Sequence, residues 1–188
     1  MDKYTFIGLN FNTPRWSVIG NYTKSNMLDY INFDKCMDMG LKNGFEDECH
    51  CTLLFSNIYT KGVNWIVYYL VHHCSDQIKQ LFNTKFELKD PIIDTFDNED
   101  SRVLKINLTN CNLYPIMKSI NDSLKEVLGG GNYDGYSPHM TITYLKPDTP
   151  DDVIHEFRDN FKLKWLSDIT PTGIKVSDGT VAIEGIKL

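Results

Sequence analysis

Two short stretches of the chain repeat one another: "CHCTLLF" at Cys49–Phe55 and "PHMTITY" at Pro138–Tyr144. Each sets a histidine two residues before a threonine and continues with apolar residues. Side chains alternate across a β-strand. On that rule His50 and Thr52 share a face, while Cys51, Leu53 and Phe55 take the other. In the second stretch His139, Thr141 and Thr143 share a face, opposite Met140, Ile142 and Tyr144. A strand of this kind buries one side and turns the other to a polar cleft. Histidine, with an unperturbed pKa near ~6.5, can accept or donate a proton around neutrality. A threonine hydroxyl beside it can donate to a non-bridging phosphate oxygen. Phosphodiester cleavage needs a base for the attacking hydroxyl and an acid for the departing oxygen. Two such strands facing each other supply both, with two hydroxyl donors. This chemistry needs neither metal nor cofactor, and the sequence carries no carboxylate cluster of a two-metal site. One His-x-Thr alone would carry no chemical meaning, because short matches are common. Two copies, each opening an apolar strand, point to a site.

The elements that must position these strands follow from periodicity and turn residues. "KYTFIGLNF" reads as a first strand, and "NTPRWSVIGNYTKS", with its Pro and Gly, as a loop or excursion. "NMLDYINFDKCMDMGLKNG" is spaced like a helix, with Gly40 and Gly44 as stop signals. "VNWIVYYLVHHCSDQIKQLF" is long enough to favour a helix over a strand. "KFELKDPIIDTF" and "SRVLKINL" read as strands joined by the acidic turn "DNED". "YPIMKSINDSLKEVLGGG" predicts an amphipathic helix with Ile116, Ile120, Leu124, Val127 and Leu128 on one face, ended by glycine. "TPDDVIHEFRDNF" predicts a helix with acids near its N-terminus. "LKWLSDITPTGIKVS" and "TVAIEGIKL" read as strands with an Asp-Gly hairpin turn between them. Strands interleaved with helices, paired mostly antiparallel, make an α+β protein. The two similar strands predict one domain over residues 1–188, built of two lobes of related design with a cleft between them.

The chain has 188 residues, 41% of them hydrophobic and 23% charged, with a net charge of −6. That composition suits a folded domain with a sizeable core. The arginines are Arg15, Arg102 and Arg158 alone, which argues against a basic stripe for duplex nucleic acid. It leaves room for a small phosphorylated ligand in a pocket. No apolar run approaches the ~18 residues that span a bilayer, and the N-terminus lacks a signal-peptide pattern. These features predict a cytoplasmic protein with no membrane partner. The five cysteines are irregularly spaced and read as reduced thiols.

Paired His-x-Thr-hydrophobic motifs separated by about half a chain resemble the 2H phosphoesterase superfamily, which includes RNA ligase-like cyclic phosphodiesterases. The resemblance runs from "YTFIGLNF" to "TVAIEGIKL". It implies two pseudo-symmetric lobes, a cleft lined by one motif from each, and catalysis by His50, Thr52, His139 and Thr141. The contexts "GLKNGFEDECHCTLLFS" and "GGGNYDGYSPHMTITYLKP" are similar to the bacteriophage anti-CBASS nucleases, which degrade cyclic oligonucleotide alarms. That branch implies a metal-independent phosphodiesterase acting on the 3′–5′ bonds of a cyclic di- or trinucleotide in the host cytoplasm. The alternatives within the superfamily are 2′,5′-oligoadenylates and 2′,3′-cyclic phosphates. Aromatic and acidic residues around the bases are expected in such a site. Tyr136, just before the second motif, and Glu184, in the final strand, are the substrate-binding candidates.

Other readings use other residues. "CHC" at 49–51 and "HHC" at 72–74 could hold zinc, but on a strand Cys49 and Cys51 face away from His50, and no Cys-x₂-Cys spacing is present. "GGGNYDG" lacks the Lys-Ser/Thr ending of a phosphate-binding loop and follows a helix instead of opening one. A mobile turn there could bring Tyr133 or Tyr136 over a base. A cyclic-nucleotide sponge without turnover would use the same cleft, and the intact His and Thr pairs favour catalysis over it.

Overall fold

The computed structural model describes residues 4–57, 61–129 and 135–188. Its seven strands form one sheet in the order β3-β4-β5-β2-β1-β6-β7, with every pairing antiparallel. The strands are β1 (Thr5–Asn12), β2 (His50–Ser56), β3 (Ile92–Asp97), β4 (Arg102–Asn107), β5 (His139–Leu145), β6 (Thr170–Ser177) and β7 (Ala182–Ile186). The helices are α1 (Trp16–Met27), α2 (Phe33–Asp38), α3 (Val63–His73), α4 (Ser75–Asn83), α5 (Tyr114–Leu128) and α6 (Asp151–Asn160). The fold class expected from the sequence is the one observed.

The sheet has an internal two-fold pattern centred on the β2–β5 junction. On one side of it lie β1 and β6, on the other β4 and β3. The backbone repeats this symmetry in detail. The Phe11 N–H donates to the Cys49 carbonyl, as the Leu108 N–H donates to that of Pro138, each at 2.9 Å.

Both motif strands carry a β-bulge at the residue after the threonine. Along β1, Gly8 pairs with Thr52 but Ile7 pairs with Leu54, so Leu53 is the extra residue. Along β4, Lys105 pairs with Thr141 and Leu104 with Thr143, so Ile142 is extra. A bulge inverts the alternation beyond it. Thr143 and Leu54 therefore turn inward, whereas Phe55 and Tyr144 are half-buried on the other side. This corrects the simple alternation: Thr143 is fully buried and donates to the Gly44 carbonyl at 2.6 Å, and Phe55 and Tyr144 leave the core face. A bulge also frees a carbonyl from the ladder, and each one finds a donor. The Leu53 carbonyl accepts from Asn121 Nδ2 of α5 at 2.6 Å. The Ile142 carbonyl accepts from the Glu46 N–H at 2.9 Å.

Helices cover the apolar side. α5 buries Met117, Ile120, Asn121, Leu124 and Leu128, a stripe shifted slightly from the expected one, with Ile116 and Val127 at its edges. Gly129 ends it in the left-handed region at φ 77°, as a helix-terminating glycine does. The segment expected to be a loop, 12–25, is mostly α1. Its Pro14 precedes the helix, and its Gly20 is an internal residue where a Cβ would stand 2.3 Å from the Phe45 ring. Close packing, not flexibility, explains that glycine. The long segment from Val63 breaks at Cys74 into α3 and α4. Of "KFELKDPIIDTF" only the part from Ile92 onward lies in a strand, β3, and Leu163–Leu166 is a 3₁₀ turn ahead of β6. No helix among the described residues is long and apolar enough to cross a membrane.

Candidate active site

The β2–β5 junction brings the two motifs together. Cys51 is the Cα partner of Met140, and both are fully buried. In an antiparallel pair with that register, His50 stands across from Thr141 and Thr52 across from His139. Alternation then puts all four side chains on the face away from Cys51 and Met140. Their burial follows one rhythm in both strands, half-exposed at His and Thr and buried between.

The two imidazoles are held alike. The Nδ1 of His50 is bonded to the Glu48 carbonyl at 3.1 Å, and that of His139 to the Ser137 carbonyl at 2.9 Å. A carbonyl only accepts, so Nδ1 carries the hydrogen in each ring. Nε2 is left to exchange protons. Each ring also meets the edge of a phenyl group. Phe6 of β1 lies against His50 at 5.5 Å and 88°, and Phe96 of β3 against His139 at 5.4 Å and 69°. Phe6 can lie there because Gly8 has no side chain: a Cβ on Gly8 would stand 2.6 Å from the Phe6 ring.

Charge breaks the symmetry. The counterpart of Gly8 in the other half is Lys105, the Cα partner of Thr141. Lys105 is buried, paired to Asp94 of β3 and positioned 5.8 Å from the Phe96 ring centre. Burial lowers the pKa of His139, and the charges of Lys105 and His50 lower it further. The Ser137 carbonyl and Asp94 act in the opposite direction. On the other side, the half-buried Glu46 interacts with the charge of His50. Burial raises the Glu46 pKa, and His50 opposes that rise. So His139 faces a lysine and His50 a carboxylate.

Glu184 lies at the rim of the His50 side. It pairs with Lys175 at 2.7 Å, and Lys175 is the Cα partner of Gly8 on β6. Tyr136 is not brought to the four residues. Its hydroxyl sits 4.0 Å from Cys51 Sγ, against the face that turns away from His50, and its ring stacks on Tyr114 at 6.3 Å and 8°. Tyr133 lies outside the described residues. The Cys51 thiol, pushed up to about 12 by burial, is an apolar filler here. Among the described residues no group of three or more His, Cys, Asp or Glu is arranged to hold a metal ion. Phe6, Phe96, Lys105 and Glu46 were not evident from the sequence. Each acts across a strand pairing or a loop, and only the "FIG" spacing of Phe6 and Gly8 hinted at one of them.

Solved structures of Usb1 from Kluyveromyces marxianus share this architecture. The structure with uridine monophosphate matches with a TM-score of 0.54 at 11% identity, covering 100% of this chain and 99% of that one. A second Usb1 structure matches with a TM-score of 0.51 at 11% identity, covering 98% of each. The chain has the 2H phosphoesterase fold. No family model and no curated protein matches the sequence.

Proposed function

We propose that this chain is a metal-independent phosphodiesterase that cleaves a nucleotide 3′–5′ bond. The observation that carries the reading is the matched pair of imidazoles, each with Nδ1 tied to a carbonyl and each beside a threonine hydroxyl on one face of the β2–β5 junction. His139, whose pKa is lowered by burial and by Lys105, is the base. Its Nε2 takes the proton of the attacking oxygen, a ribose 2′-hydroxyl or a water. That oxygen bonds to phosphorus, the P–O5′ bond breaks, and His50 Nε2–H gives its proton to the departing 5′-oxygen. Thr52 and Thr141 donate to the non-bridging oxygens as charge builds on them.

The finer reading is a cyclic di- or trinucleotide signal as substrate, with a phage counter-defence role against CBASS in the host cytoplasm. Its support is the likeness of the two motif contexts to that branch. A linear RNA end is the second reading, favoured by the fold shared with a protein solved with uridine monophosphate. Single-turnover assays on cyclic di- and trinucleotides, 2′,5′-oligoadenylate, 2′,3′-cyclic phosphates and short linear RNAs test it. The expected result is cleavage of at least one 3′–5′ substrate, reduced by about 10² to 10⁴ in His139→Ala. A folded His139→Ala protein with undiminished turnover refutes the proposal. Ligand returned uncut after heating the complex would show a sponge.

A further inference from the structure

Three aromatic side chains stand on the catalytic face at the His50 side. Alternate residues of a strand share a face, so Tyr4, just ahead of β1, and Phe6 lie on the face of Gly8, the Cα partner of Thr52. Phe55 joins them from β2. It is the Cα partner of Phe6, and the bulge at Leu53 turns it off the core face. Re-aiming a side chain beside an active site is a recurrent use of such bulges. Aromatic rings ordinarily supply much of a core's burial. Tyr4, Phe6 and Phe55 are each only half-buried, and among the described residues none of them packs against the hydrophobic core.

The rings form a shelf that begins at the catalytic imidazole. Phe6 meets His50 edge-on at 5.5 Å, and Tyr4 and Phe55 lie 5.6 Å apart with their planes tilted by 34°. Two glycines seat them. A Cβ on Gly8 would stand 2.6 Å from the Phe6 ring, and one on Gly179, in the β6–β7 turn, 3.0 Å from that of Tyr4. Phe55 stands three residues past Thr52, about 10 Å at most for a strand. A phosphate held at Thr52 therefore has an aromatic surface within the span of one ribose and its base. Among the described residues the other half builds no such shelf. Tyr144, the counterpart of Phe55, remains in contact with the core, and Phe96, beside His139, is approached by the ammonium of Lys105.

We infer that Tyr4 and Phe55 stack the base of the leaving nucleoside, with Phe6 closing the shelf against His50, so that the substrate is a phosphodiester whose leaving group is itself a nucleoside. The inference rests on the phosphodiesterase reading and on His50 as proton donor to the departing 5′-oxygen, which puts the leaving nucleoside on this side. Stacking responds to the area of a base and not to its hydrogen-bonding edge. Purines are therefore held better than pyrimidines, and adenine about as well as guanine. A 2′,3′-cyclic phosphate, whose leaving oxygen belongs to its own ribose, gains nothing from the shelf.

Two measurements test this. The first needs no turnover. 2-Aminopurine riboside, whose fluorescence is quenched when its base stacks, is titrated against the whole protein and against Phe55→Ala and Phe55→Leu. Leucine keeps an apolar side chain and removes the ring, and it decides the matter if the alanine variant does not fold. Affinity should fall roughly 5- to 150-fold in Phe55→Ala, the equivalent of one base stacked on an aromatic ring, and should fall in Phe55→Leu as well. No binding to the unaltered protein, or equal affinity in folded Phe55→Leu, overturns the inference. The second compares kcat/KM for uridylyl-3′,5′-adenosine with that for the methyl ester of uridine 3′-phosphate, which has the same attacking side and no leaving base. Their ratio should fall by a similar factor in Phe55→Ala. A ratio that neither substitution changes overturns the inference and leaves the phosphodiesterase reading standing. Quenching that depends on Phe55, with neither ester cleaved, does the reverse.

Discussion

Replacing Lys105 with methionine probes the asymmetry that assigns the base. Methionine keeps most of the buried stem and removes only the charge. Lys105 Nζ is 5.8 Å from the Phe96 ring centre, and that ring is 5.4 Å from the imidazole of His139. Ammonium and imidazole are therefore within about 11 Å. At an effective dielectric constant of about 20, unit charges at that separation repel by roughly 1.5 kcal/mol. The sign follows from the role. A general base works when neutral, so kcat/KM falls as pH drops through its pKa. Lys105 disfavours the protonated ring and holds that pKa down. Without the lysine, the acid limb should move to higher pH. Asp94→Asn, which leaves Lys105 unopposed, should move it the other way. The profiles are measured at low ionic strength, where screening is weakest, with circular dichroism and thermal melts confirming the fold. A folded Lys105→Met protein whose acid limb stays in place refutes the assignment of His139 as the base.

Gly8→Ala should displace the Phe6 ring from the edge of His50, since a Cβ there would stand 2.6 Å from it. Misplacement of about 1 Å near the chemistry can cost on the order of 10² in rate, so kcat should fall while the melting temperature shows a stable fold. Unchanged kcat would show that Phe6 does not position His50. Asn121→Asp exchanges the donor to the Leu53 carbonyl for an acceptor. Loss of a buried hydrogen bond of this kind costs about 1–3 kcal/mol, or roughly 2–4 °C in melting temperature per kcal/mol. The deficit should shrink at acidic pH, where a protonated carboxyl can donate again. A deficit independent of pH would point to packing instead. Activity should survive exhaustive chelation, because the proposed proton transfers run through two imidazoles. Loss on chelation and recovery with stoichiometric zinc would refute the metal-independent mechanism.

The motif was legible in the sequence because alternation is a local property. His50 and Thr52 must share a face wherever the strand pairs, and so must His139 and Thr141. What lies beyond the threonines was not legible. The bulges at Leu53 and Ile142 depend on how β1 and β4 register against the motif strands, and register is fixed by the whole sheet. A one-residue slip reversed the faces of Thr143, Phe55 and Tyr144. Tyr136 was misplaced for a related reason. Nearness in sequence to His139 says nothing about which side of the sheet a preceding loop packs against, and this loop packs on Tyr114 and Cys51.

The asymmetry of the site was hidden for the same physical reason. Read along the chain, the two halves look equivalent, with the same His-x-Thr motif and the same apolar continuation. The difference lies one strand away, where β1 places Gly8 beside Thr52 and β4 places Lys105 beside Thr141. A two-fold symmetric cleft with two identical imidazoles would have no preferred direction for a proton. With burial and a lysine acting on it, His139 gives up its proton more readily than a free imidazole. The Gly8 side can then hold Phe6 against His50, and the carboxylates of Glu46 and Glu48 gather on that side. The repeated strands bring two rings to one face of the sheet, and in the proposed mechanism their unlike neighbours set which ring accepts a proton and which donates one.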